Sequence, residues 1–93
     1  MISFANLHYN KYINHYTELD VMKNIYIKRI RDLREDHDKT QQEIADYLGT
    51  SQTMYARYER GANELPIRHL ITLCNYYGVS ADYMLGLDEE IVQ

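Results

Sequence analysis

The stretch TQQEIADYLGTSQTMYARYERG, residues 40–61, decides how the rest of the chain is read. Thr40 and Glu43 form a T-x-x-E capping box, which satisfies orphan N–H groups at a helix start from both sides. Ile44, Ala45 and Leu48 follow at helical spacing. Gly49 supplies the left-handed residue that ends this helix without a Cβ clash. Ser51 is a good N-cap for a second helix. In that helix Tyr55 and Tyr58 lie three apart on one face, Glu59 follows four after Tyr55, and Gly61 stops it. The pattern predicts two short capped helices joined by a tight turn.

The second helix has a divided surface. Tyr55, Tyr58 and part of Glu59 face inward, while Gln52, Thr53, Ala56, Arg57 and Arg60 share the outer side. A polar helix face is most often just a solvated one. This face also suits base edges: Gln pairs bidentately with adenine, Arg with guanine, and a Thr methyl touches thymine. Ala56 is small enough to permit close approach. The frame of two helices and a three-residue turn favours the nucleic-acid reading over the bland one.

With these residues in place, the stretch is similar to the helix-turn-helix of the phage-repressor or Cro-type proteins, the XRE family. The shared pattern is T-Q-x-x-I-A-x-Y-L-G, then S-Q-x-x-Y-x-R-Y-E-R-G. Here it is carried by Thr40, Gln41, Ile44, Ala45, Tyr47, Leu48 and Gly49, then Ser51, Gln52, Tyr55, Arg57, Tyr58, Glu59, Arg60 and Gly61. The likeness extends over residues 27–87. It implies a sequence-specific transcriptional regulator, a homodimer on a palindromic operator in double-stranded DNA. Gln52, Thr53 and Arg57 would read bases, with Ala56 near the groove floor. Gln41 would hold a phosphate through its amide and the adjacent helix N-terminus. Arg60, Asn63 and Arg68 are the next phosphate candidates, with Glu64 an awkward neighbour for them. The resemblance also implies a bridge between Arg34 and Glu59, and a carboxylate on the buried edge of a helix does need a partner. Lys39 departs from the pattern. An apolar residue is usual there, and only the stem of Lys39 could pack on Ile44.

The remaining chain divides around this motif into an N-terminal extension, residues 1–23, a helix-turn-helix domain, residues 24–87, and an acidic tail, residues 88–93. Tyr9, Tyr12, Ile13, Tyr16 and Leu19 predict an amphipathic helix in the extension. Its apolar face would dock on the domain's own core or form a dimer contact rich in Tyr. Another helix is expected over residues 24–36, with Ile27, Ile30 and Leu33 inward. Pro66 suits a helix start, and Ile67, Leu70, Ile71, Leu73, Cys74 and Tyr77 give a broad apolar face up to Gly78. Ser80 caps a last short helix ending at Gly86. The fold class is all-α: five helices in the repressor-like arrangement plus an N-terminal one. The expected core is Ile30, Leu33, Ile44, Ala45, Leu48, Tyr55, Tyr58, Leu70, Leu73 and Cys74.

Composition bounds the alternatives. Ninety-three residues make one domain with a modest core. With ten Tyr, one Phe and no Trp, much of that core must be Tyr, whose buried hydroxyls need partners or water. A single cysteine, Cys74, excludes an internal disulfide and fits a reducing cytoplasm. No signal peptide or membrane span is legible. The net charge of −4 is not that of a strongly basic nucleic-acid binder. Five acids, Glu18, Asp20, Asp88, Glu89 and Glu90, lie outside the motif-bearing region, which is itself close to neutral. No H-E-x-x-H, paired cysteines or phosphate-binding Gly-rich loop is present, so neither an enzyme nor a cofactor is expected. His8 and His15 lack further ligands for a metal. His69 and Cys74 fall on different faces of one helix. The competing reading is a protein-interaction module, or an antitoxin, that uses the same fold.

Overall fold

The computed structural model describes residues 18–88, with side chains from residue 25 onward. The described residues form five helices and no strand: α1 Glu18–Asp36, α2 Gln41–Leu48, α3 Gln52–Arg60, α4 Ile67–Tyr77 and α5 Ala81–Leu85. Helix α1 starts earlier than expected, so the division between residues 23 and 24 falls inside it. Nothing between Glu18 and Asp36 interrupts a helix, since the segment lacks both Gly and Pro. Glu18 and Leu19 therefore belong to this helix. The rest of the amphipathic stretch from Tyr9, with His8 and His15, lies outside the described residues.

Local signals in the sequence account for most helix ends. Thr40 Oγ1 accepts from the Glu43 N–H at 3.0 Å, and the Thr40 N–H donates to Glu43 Oε1 at 2.8 Å. Ser51 and Ser80 cap α3 and α5 by accepting from the N–H groups of Met54 and Tyr83, each at 3.0 Å. Pro66 sits at the N-cap of α4, just outside the helix, and makes no side-chain cap. Helix α1 ends without glycine. Asp38 takes φ 55°, a left-handed conformation that Asp tolerates better than most residues. The Lys39 N–H then closes back on the Arg34 carbonyl at 3.0 Å.

The core lies where α2 and α3 pack on each other and α1 crosses α3 and α5. Ile30, Ile44, Tyr55, Leu73 and Met84 are fully buried, with Ala45, Tyr58, Cys74 and Tyr77 around them. Leu33, Leu48 and Leu70 were expected among these but sit at the rim, partly buried against the cluster. Met84 and His69 take interior positions instead. His69 packs edge-on to Tyr58 at 5.9 Å, and Tyr58 in turn packs edge-on to Tyr55 at 6.4 Å. His69 and Cys74 are thus both buried, because α4 is enclosed on more than one side. The hydroxyls of Tyr55 and Tyr77 are buried and make no hydrogen bond of full geometry among the described residues. Burial pushes both hydroxyls well above the usual phenol range, with the Glu59 carboxylate adding to the effect, so both stay neutral.

Helix α5 is tied to α1 by Arg29, which donates to the Tyr83 carbonyl and, at 3.0 Å, to Asp88 Oδ1. Its guanidinium lies 4.1 Å from the centre of the Tyr83 ring. Asp88, placed in the acidic tail by composition, is therefore engaged with the domain. Gly86 allows α5 to approach α1, since a Cβ there would lie 2.7 Å from Ile25 Cγ2.

Candidate nucleic-acid interface

Helices α2 and α3 are joined by only Gly49, Thr50 and Ser51. Gly49, at φ 76°, ends α2 with its N–H bonded to the carbonyls of Ala45 and Asp46. This turn brings the first residues of the two helices together. Beneath them lies the Arg34–Glu59 pair. Arg34 Nε donates to Glu59 Oε2 at 2.7 Å, and its Nη2 to Oε1 at 3.0 Å. The side chains are 12% and 4% exposed. Arg34 Nη1 also donates to the Lys39 carbonyl at 2.9 Å, which ties the segment entering α2 to α1. Burial works to raise the Glu59 carboxyl, but Arg34, then Tyr55 and Gln41, outweigh it and hold the group below the usual carboxylate range.

The pair is the root of a hydrogen-bonded chain that reaches the surface. Gln41 Nε2 donates to Glu59 Oε1 at 3.0 Å. Gln41 Oε1 accepts from Gln52 Nε2 at 2.7 Å. Both glutamines are half-buried, at the first positions of their helices. Gln41, expected only as a phosphate contact, thus also joins Gln52 to the interior. Two glutamines eleven residues apart across a capped turn are the sequence signal for this contact.

The other predicted site residues divide into held and open. Arg57 Nε donates to Asn63 Oδ1 at 2.5 Å, so these two are brought together. Thr53 is exposed beside them on α3, and Ala56 is half-buried. Arg60 and Arg68 are exposed and make no ion pair among the described residues. Glu64 is exposed near Asn63. Among the described residues no group of three His, Cys, Asp or Glu is arranged to hold a metal ion. No helix among them is long and apolar enough to cross a membrane.

A helix-turn-helix family profile matches residues 30–84, which span α2, α3 and most of their supporting helices. The chain belongs to the XRE-type helix-turn-helix family. The uncharacterized HTH-type transcriptional regulator YobD of Bacillus subtilis is 35% identical over 66 residues, 71% of this chain and 59% of that protein. The HTH-type transcriptional regulator ImmR of the same organism is 37% identical over 62 residues, 67% of this chain and 49% of ImmR. The cryptic phage CTXphi transcriptional repressor RstR of Vibrio cholerae is 29% identical over 72 residues, 72% of this chain and 65% of RstR. Antitoxin PezA of Streptococcus pneumoniae is 34% identical over 62 residues, 67% of this chain and 39% of PezA. The chain therefore spans roughly half the length of the curated relatives it matches. No solved structure gives a significant match. As a helix-turn-helix member, the chain uses α3 as the second helix of the motif, with its polar side outward.

Proposed function

We propose that this chain is a transcriptional regulator that binds operator DNA with α3 in the major groove. The observation that carries this reading is the hydrogen-bonded chain from Glu59 through Gln41 to Gln52. It spends one Nε2 hydrogen of Gln52 on Gln41 and leaves the other, together with Oε1, unused. That remaining pair is the donor and acceptor needed for N7 and N6 of adenine. Because Gln41 is anchored to a buried ion pair, the Gln52 amide is oriented before DNA arrives, which reduces the ordering cost of binding. Gln41 keeps its second Nε2 hydrogen for a phosphate, next to the open N–H groups at the start of α2. Thr53 and Arg57 extend the reading surface, with Ala56 allowing close approach. Arg60, Asn63 and Arg68 lie on its rim as phosphate contacts. Regulators named among the relatives support the same role.

A palindromic operator needs two copies of α3 about 34–36 Å apart, so the working form is a homodimer. The site of action is the cytoplasm, where the DNA is. A protein-interaction role, alone or in an antitoxin, is the second reading. It is favoured by the likeness to antitoxin PezA and by Ile67 and Ile71, one helical turn apart on α4 and 70% and 56% exposed.

Selection of bound sites from a random DNA library, followed by titration of the selected duplex and a scrambled one, tests the proposal. The selected duplex should bind at least about a thousandfold more tightly at physiological salt. Equal binding would remove the regulator reading in favour of the interaction module. Arg68→Ala should weaken all duplexes alike and lower the salt slope by about one.

A further inference from the structure

Arg57 and Asn63 touch each other twice. The side-chain contact runs from Arg57 Nε to Asn63 Oδ1 at 2.5 Å. The backbone returns as well: the Asn63 N–H donates to the Arg57 carbonyl at 3.3 Å, beside the Ala62 N–H at 2.9 Å. The loop that leaves α3 is therefore folded back over the last turn of the helix, and both side chains are half-buried there. Neither contact was visible from helical spacing, because Asn63 lies beyond the helix end.

The bond constrains what Arg57 can recognise. A guanidinium offers two bidentate edges: Nε with one terminal nitrogen, and the two terminal nitrogens together. Asn63 occupies the Nε edge. The terminal N–H groups have no partner among the described residues. What remains is the end-on fork, whose spacing matches O6 and N7 of a guanine in the major groove. A free arginine would have to lose much rotamer freedom to present that fork. One held at Nε has lost part of it already.

Resting on the operator-binding reading above, we infer that Asn63 is a positioning residue: it closes the side-on edge of Arg57 and thereby sets a guanine preference at one base pair of each half-site. Its own Nδ2 stays available to donate to a phosphate, so the positioning role and a plain backbone contact must be told apart by experiment.

The test compares wild type, Asn63→Ala, Asn63→Leu, Asn63→Asp, Arg57→Ala and the Arg57→Ala/Asn63→Ala double variant. Each is titrated against the selected operator and its point variants, after thermal melts establish folding. Asn63→Leu serves if Asn63→Ala does not fold. Loss of the Oδ1 acceptor should reduce discrimination by about tenfold, at the same base pair that Arg57→Ala affects. The double variant should discriminate there no worse than Arg57→Ala alone. Asn63→Asp keeps an acceptor for Nε, so it should retain the guanine preference while its added charge weakens every duplex. A uniform loss on all duplexes with Asn63→Ala or Asn63→Leu would overturn the inference and leave Asn63 as a phosphate contact. Independent, multiplying losses from Arg57 and Asn63, or loss of the preference in Asn63→Asp, would overturn it equally. Should wild type not distinguish operator from scrambled DNA, the operator reading itself fails and this inference goes with it.

Discussion

Truncating Glu59 to alanine should be among the most damaging single changes in the domain. Its carboxylate is 4% exposed and accepts bonds at 2.7 and 3.0 Å from Arg34 and at 3.0 Å from Gln41. Removing it strands a guanidinium that is only 12% exposed and cannot shed its charge. Breaking a buried pair in this way costs about 3–5 kcal/mol. A domain of this size has a net stability of roughly 0.05–0.15 kcal/mol per residue, so a large part of the folding free energy would go. Arg34→Ala should be milder, because an unpaired Glu59 can take up a proton. Urea melts of both single variants and the double variant, followed by circular dichroism, give the coupling directly. A coupling below about 0.5 kcal/mol, the scatter expected of independent sites, would refute the reasoning. The pH dependence has a definite sign. Glu59 is held below the usual carboxylate range because Arg34, Tyr55 and Gln41 overcome the effect of burial. Its stabilisation is therefore complete above the unfolded-state value and is lost as pH falls through the lowered one. Replacing Glu59 with Gln should remove that acid limb from the stability profile.

Three further outcomes are expected. Gly49→Ala and Gly86→Ala both force a left-handed residue to carry a Cβ, at about 1–2 kcal/mol. Gly86→Ala should be clearly worse in thermal melts, since its Cβ meets Ile25 at 2.7 Å whereas that of Gly49 meets nothing within 4 Å; equal losses would mean that α1 yields freely. Burial, with Arg68 as a lesser influence, pushes the His69 imidazole below its ordinary value, so stability should fall as pH drops below about 6.5. Urea midpoints of His69→Phe between pH 5 and 8 should show a flatter profile. Gln41→Ala should weaken operator binding and also blur the adenine preference at the Gln52 position, and titration of operator point variants would detect both effects.

The chain's own order of residues determined the local architecture. The Thr40–Glu43 box, the serine caps at 51 and 80, and the glycines at 49, 61, 78 and 86 are short-range devices, each satisfied within a few residues. The family motif is equally local, which is why the helix-turn-helix and its outward face could be read directly. The start of α1 could not be located, because a run without Gly or Pro carries no punctuation. Nor could spacing reveal that His69 and Met84 lie inside while Leu33, Leu48 and Leu70 sit at the rim. Those positions depend on how many sides of each helix its neighbours cover. The same is true at the interface. Arg34, Gln41, Gln52 and Glu59 come from three helices, and Asn63 lies on a loop beyond them. One face of α3 names the side chains proposed to reach a base. Only the packing of α1, α2 and the returning loop decides which nitrogen and oxygen atoms of those side chains remain unspent.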